Sequence, residues 1–175
     1  STCHLIAESL TKLGNKVGLI STEGNGVYPR LKRTGYTTPR SDILYKTFDN
    51  FRRKKVDIIV IECSSQGLHQ GRLNHITFND SIVTNLNKDH IEYHKTFKNY
   101  IKSKQKLLDM TMGNIFLNID CKNTISKFSN IKKSKIITYG SHVDKEIIDR
   151  LTKTSDILED HFVKSNRSLL YKLLI

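Results

Sequence analysis

Short apolar runs alternating with segments of helical period set the strongest limit on how this chain folds. Val56-Asp57-Ile58-Ile59-Val60-Ile61 and Ser81-Ile82-Val83 read as buried strands, with strands expected over 56–62 and 81–86. Residues 16–22, 114–119 and 135–139 read the same way. Helices are expected from the start to Leu13, closed by Gly14, and over 41–54, 97–111 and 122–129. Spacing puts Leu5, Ile6, Leu10 and Leu13 on the inner face of the first helix. Ser41-Asp42 supplies a cap for the second, with Ile43, Leu44, Phe48 and Phe51 inside. Gly24-Asn25-Gly26 and Pro29 mark a loop running to about Arg40, and 64–79 reads as a connection. Strands alternating with helices predict an α/β fold: a mainly parallel sheet with helices on both faces. Residues 1–140 are read as one domain. Residues 141–175 are read as its continuation, with 142–158 helical and 168–175 apolar without a clear period.

Two of these strands end in chemically capable residues. Glu62 follows the first run, and the segment Thr84-Asn85-Leu86-Asn87-Lys88-Asp89-His90-Ile91-Glu92-Tyr93-His94 follows the second. In open α/β sheets, ligands bind at the C-terminal edge of the strands. Hard cations such as Mg²⁺ take oxygen ligands and keep several waters, so one carboxylate plus phosphate oxygens makes a normal site. The plainer reading of Glu62 is a solvated strand-end carboxylate, and of His90 a hydrogen-bonded loop histidine. On a helical wheel Phe97, Tyr100, Ile101, Leu107 and Leu108 share a face with Lys104, while Lys98, Lys102 and Lys106 point away. A lysine in an apolar stripe has its pKa lowered by burial; its alternative is to snorkel, with the stem buried and the amine in water.

The 175 residues suffice for one domain with a core. Lys and Arg number 29 against 17 Asp and Glu, a net charge of +12. That charge admits a nucleic-acid-binding module. The lysines are scattered, however, and neither zinc-knuckle spacing nor an aromatic-basic alternation accompanies them, so no nucleic-acid partner is expected. The clusters Arg52-Arg53-Lys54-Lys55 and Lys132-Lys133-Ser134-Lys135 each precede an apolar strand, and basic residues at a helix C-terminus oppose its dipole. Cys3, Cys63 and Cys121 show no paired spacing, which favours a reducing compartment over disulfides or zinc. No apolar run approaches the ~20 residues of a membrane span. The chain starts without Met, directly in a helical pattern, and is expected to be a fragment.

The residues resemble the Mur ligases, most closely the MurE type, over Ser1 to about Asp120. Thr37-Thr38-Pro39 is similar to the family's threonine pair. Glu62-Cys63-Ser64-Ser65-Gln66-Gly67-Leu68-His69-Gln70-Gly71-Arg72 is similar to its glutamate, serine-pair and Q-x-R segment. Thr84 to His94 matches its T-N-L-x-x-D-H-x-x-Y-H run, and Tyr100 to Lys104 its Y-x-x-x-K. The resemblance implies a central, phosphate-loop-like ATPase domain with ATP and Mg²⁺ as cofactors. It implies a cytoplasmic, monomeric ligase that adds the third amino acid to UDP-N-acetylmuramoyl-L-alanyl-D-glutamate through an acyl phosphate, in peptidoglycan synthesis and with no membrane contact. Glu62, His90 and a carbamylated Lys104 are then the catalytic and metal-binding residues, with Asp89 orienting the turn or its neighbour. Thr37, Thr38, Ser64, Gln70 and Arg72 hold the UDP-linked dipeptide, and Tyr93 packs. Gln66 stands where the family usually has His. The family's G-T-x-G-K-[ST] loop is absent ahead of Ser1-Thr2, one of which is the remnant of its Mg²⁺-binding hydroxyl, and the isolated chain is expected not to turn over ATP. The alternatives are a non-catalytic or degenerate Mur fragment and another Mur or folylpolyglutamate-type amide ligase.

Overall fold

The central strand of the first sheet, β1 (Val17–Ser21), pairs parallel with β3 (Ile58–Ile61), with Val17 opposite Ile58 and Ile20 opposite Ile61. Every residue of both strands is buried, because each face is covered by helix. Val17, Leu19, Ile58 and Val60 pack against Cys3 and Ala7 of α1 (Thr2–Lys12). The alternate residues Ile20, Ile59 and Ile61 pack with Leu44 and Phe51 of α2 (Ser41–Arg53). Gly18 belongs to this second face, where an added Cβ would lie 2.7 Å from the Phe51 ring. The computed structural model describes residues 1–128 and 135–140, so the readings of 141–175, including the helix over 142–158, lie outside the described residues.

The second sheet is all parallel, in the order β4 (Ser81–Val83), β5 (Asn114–Asn118), β6 (Lys135–Tyr139). Its core joins Val83, Ile115 and Leu117 to Tyr100 and Leu108 of α5 (Phe97–Asp109) and Phe128 of α6 (Lys122–Phe128). Leu107, next to Leu108 on α5, belongs instead to the core of the first sheet. Adjacent residues on one helix thus serve two cores, and α5 is the seam between the sheets. The α/β class, the parallel pairing and the helices on both faces agree with the sequence reading.

Several details differ. Among the described residues, the expected single sheet is two three-stranded sheets. The expected loop at Gly24-Asn25-Gly26 is a strand, β2 (Gly24–Val27), paired antiparallel with β1. An added Cβ at Gly26 would collide with the Arg30 carbonyl, and Gly24 has φ +144°, so these glycines serve a close approach of the returning chain rather than a turn. On α1 the inner face is Cys3 and Ala7, with Ile6 and Leu10 beside them, whereas Leu5 and Leu13 are exposed. Cys3 and Ala7 are one turn apart and small, which lets the helix lie close on the sheet. Ser41 does not cap α2: Arg40 is the N-cap, and the Ser41 hydroxyl donates to the Arg72 carbonyl at 3.0 Å. The 64–79 connection holds a short helix, α3 (Ser65–His69), and a further turn, α4 (Ile91–His94), precedes α5.

Candidate active site

The register of β1 and β3 brings their next residues together at the C-terminal edge. Glu62 N–H continues the ladder to the Ile20 carbonyl at 2.8 Å. Its carboxylate then turns to Thr22, where Oε2 accepts from the backbone N–H at 3.0 Å and from the hydroxyl at 3.2 Å. Since the Thr22 hydroxyl donates to Glu62, its 2.8 Å bond to Thr37 is donated by Thr37. Glu62 Oε1 takes no hydrogen bond from the described residues, and Glu62 lines a cavity of about 390 Å³.

That cavity gathers Glu62, His90 and Lys104 with Thr22, Thr37, Ser64, Thr84, Asp89 and Tyr100. The ends of β3 and β4 meet there although they belong to different sheets, because α5 packs across both cores. Lys104 lies one turn before Leu107 and Leu108 on this seam. Its Nζ donates to the Cys63 carbonyl at 3.4 Å. Burial holds the Lys104 amine below the usual lysine range, with Cys63, Glu62 and Asp89 acting in the opposite direction. Burial also pushes the Cys63 thiol well up, so it is no nucleophile. His90 has left-handed backbone, φ 56° and ψ 33°, at the start of α4, and its imidazole is exposed at the cavity.

Lys106 does not simply face solvent: its Nζ donates to the carbonyls of Leu68 and His69 at 3.2 and 3.3 Å, at the C-terminal end of α3. The wheel could not show a neighbour that fits against its edge. Lys102 is exposed, as expected.

The expected substrate residues divide. Thr37 and Ser64 line the cavity of Glu62. Ser64 caps α3 by accepting from Gly67 N–H at 3.1 Å, which leaves its own proton to donate. Gln70 and Arg72 line a second cavity of about 550 Å³, with Arg40, Ser41 and Asp42. Thr38, expected on the substrate, lines neither: it is 1 % exposed, and its hydroxyl donates to the Glu62 carbonyl at 2.7 Å and accepts from Ser64 N–H at 2.8 Å. The Thr38 carbonyl in turn accepts from Arg72 Nη1 at 2.6 Å, so Thr38 joins the two cavities through bonds rather than by facing a ligand. Ser1 and Thr2 also line neither. Their helix nevertheless starts at this edge: the Cys3 thiol is pushed up to about 12 by burial and then by the Glu62 charge, and His4 Nε2 lies 3.3 Å from Ser21 Oγ.

Sequence reasoning missed Thr22 and Arg40. Thr22 was findable as the residue closing the strand beside Glu62, and Arg40 as the neighbour of Thr37-Thr38-Pro39. Tyr93 is more than a packing residue, because its hydroxyl lies 2.9 Å from Gln70 Nε2 and 3.1 Å from His69 Nδ1. His94 is buried, bonded through Nε2 to Ser65 Oγ at 3.0 Å.

Mg²⁺ fits this donor set. Glu62 shares the cavity with Ser64, Thr84 and Asp89, all oxygen-bearing, and Mg²⁺ needs only one or two protein carboxylates when phosphate and water complete its shell. No group of three His, Cys, Asp or Glu forms a full cage among the described residues.

A parallel α/β core that sets an acid and an imidazole at its strand ends, with a partly buried amine from α5 beside them, has the layout of a ligand-binding α/β enzyme domain. Residues 1–171 match the profile of the Mur ligase middle domain, and the chain belongs to that family. It is 36% identical over 149 residues to a UDP-N-acetylmuramoyl-L-alanyl-D-glutamate--2,6-diaminopimelate ligase of Wigglesworthia glossinidia brevipalpis, covering 74% of this chain and 30% of the relative. A ligase of the same name from Clostridium acetobutylicum, number 1 of that species, is 33% identical over 173 residues, which is 99% of this chain and 33% of the relative. A solved structure of a protein with that name superposes with a TM-score of 0.71 at 28% identity, covering 82% of this chain and 30% of the other. The chain thus spans about a third of the length of these relatives.

Proposed function

We propose that this chain is the nucleotide-handling middle domain of an ATP-dependent ligase of peptidoglycan synthesis. The ligase joins an amino acid to UDP-N-acetylmuramoyl-L-alanyl-D-glutamate after phosphorylating a dipeptide carboxylate. The relatives' names make 2,6-diaminopimelate the first amino acid to test. Residues 141–175 are read as part of the same domain, supported by a family match that runs to residue 171. The observation that carries the proposal is the convergence of Glu62, His90 and Lys104 on one cavity from three separate elements.

Within this reading, Glu62 and His90 would hold Mg²⁺, which supplies electrostatic stabilisation of phosphoryl oxygens. Thr22 fixes the Glu62 carboxylate through Oε2 and leaves Oε1 without a hydrogen bond from the described residues. The neutral Lys104 amine, favoured by burial, attacks the carbon of CO₂; a C–N bond forms, one C–O π pair moves to oxygen, and nitrogen loses a proton. The product is a carbamate, an anionic oxygen donor on what was a cationic side chain. Thr37, Ser64, Gln70 and Arg72 contact the UDP-linked dipeptide, with Arg72 taking a carboxylate or phosphate. Ser1 or Thr2 would add a hydroxyl near the nucleotide. The enzyme is read as a cytoplasmic monomer without nucleic-acid or membrane partners. The spacing of its cysteines supports a reducing compartment, and no helix among the described residues is long and apolar enough to cross a membrane.

The test is a phosphate-release assay on the ligase that contains this chain. Release should require ATP, the UDP-linked dipeptide and the amino acid together, and Glu62→Ala should lower it by about 10²-fold or more. Release that ignores the dipeptide, or survives Glu62→Ala, would count against the ligase reading.

A further inference from the structure

Tyr93 has no part in the chemistry above, yet it touches the clamp on Arg72. Arg72 donates from Nε at 2.9 Å and from Nη2 at 2.6 Å to one oxygen, Gln70 Oε1. A guanidinium has donors only, so the Gln70 amide must present its oxygen to Arg72 and its nitrogen to the other side. That nitrogen meets Tyr93 Oη at 2.9 Å. A phenol could face either end of an amide; here the amide nitrogen donates, so the phenol oxygen accepts, and His69 Nδ1 is its second partner, 3.1 Å away. The bonds thus donate in one direction from Arg72 to Gln70 and from Gln70 to Tyr93.

The guanidinium is also held from its far side. Nη1 donates to the Thr38 carbonyl at 2.6 Å, and the Tyr36 ring centroid lies 5.6 Å from Cζ. Of the five N–H groups of an arginine, these bonds commit three. Two remain for an anionic group in the cavity shared with Arg40 and Ser41.

We propose that Tyr93 is a positioning residue for substrate binding: by orienting the Gln70 amide, it fixes Arg72 so that its two remaining N–H groups meet a carboxylate or phosphate of the acid substrate. The inference rests on the ligase reading given above. It also accounts for the placement of Tyr93 one residue beyond the exposed Glu92 and beside the buried His94, where its ring lies edge-on to both His69 and His94.

Tyr93→Phe in the ligase that contains this chain keeps the ring and removes the acceptor. KM for the UDP-linked dipeptide should rise about 3- to 10-fold, the worth of one neutral hydrogen bond, with kcat changed less than about twofold. The Arg72 Nε–H, followed by nitrogen NMR, should exchange with water faster in the variant, whether or not the enzyme turns over. Gln70→Glu supplies a carboxylate that holds the guanidinium by charge with no help from Tyr93. Adding Tyr93→Phe to Gln70→Glu should therefore change KM by less than about twofold. Unchanged KM together with unchanged Arg72 exchange overturns the proposal, as does an undiminished effect of Tyr93→Phe on top of Gln70→Glu. If Tyr93→Phe fails to fold, His69→Phe, which removes the second hydrogen-bond partner of the phenol, is read by the same measures. A wild-type enzyme without ligation overturns the ligase reading instead, and the exchange measurement still decides the role of Tyr93.

Discussion

The Thr38 hydroxyl donates to the Glu62 carbonyl and accepts from Ser64 N–H, and both partners lie on the turn that carries β3 into α3. Its methyl side leaves so little room that a Cβ on Gly67 would come within 2.8 Å of Thr38 Cβ. Thr38→Val keeps the shape and leaves a carbonyl and an N–H without their partner. Leaving buried groups unpaired costs about 1–3 kcal/mol. Equilibrium denaturation should show a loss of that size for Thr38→Val and a smaller one for Thr38→Ser. A Thr38→Val variant as stable as the parent would show that these bonds are replaceable by water. The same residue explains why the sequence misleads at this point. A Thr-Thr pair before proline offers two hydroxyls of equal chemistry, and only the fold decides that Thr37 faces the cavity and Thr38 the interior.

α4 is only four residues long and is held by what it touches. His94 at its end bonds Ser65 of α3 and comes within 3.5 Å of Ser103 Oγ on α5, so one imidazole ties three helices. Burial lowers its pKa below the usual 6.5, joined by the nearby His69, His90 and Lys104 and opposed by Glu92. The unfolded chain therefore binds this proton more tightly than the folded one. The contribution is fully present above 6.5 and is lost as pH falls through the depressed folded value. Denaturation midpoints should thus decline as pH falls below 6.5, and His94→Gln should flatten that slope. An identical slope in the variant would place the acid sensitivity elsewhere.

At the scale of the whole molecule, alternation of apolar strands and helices was enough to give a parallel α/β core, because strands covered on both faces must read as unbroken apolar runs. It was enough also to place Glu62 and His90 at one edge, since both follow such runs. Three things needed the third dimension. The split into two sheets depends on α5 giving Leu107 to one core and Leu108 to the other, which a single helical stripe cannot express. β2 was hidden by its glycines, which normally signal a turn and here allow the close approach of Arg30 and Lys32. Lys106 looked solvent-facing because the carbonyls it reaches belong to α3, distant in sequence.

The measurement that most directly tests whether this edge is the catalytic centre of a ligase is turnover of Lys104→Ala, in the enzyme that contains this chain, with and without a short carboxylic acid. Lys104 is the partly buried amine that shares the cavity with Glu62 and His90, whereas Lys102 on the same helix is exposed. Lys104→Ala should abolish ligation at ambient CO₂, added short carboxylic acid should restore part of it by replacing the carbamate, and Lys102→Ala should stay near the parent. Full activity of Lys104→Ala, or equal losses from both substitutions, would contradict the account.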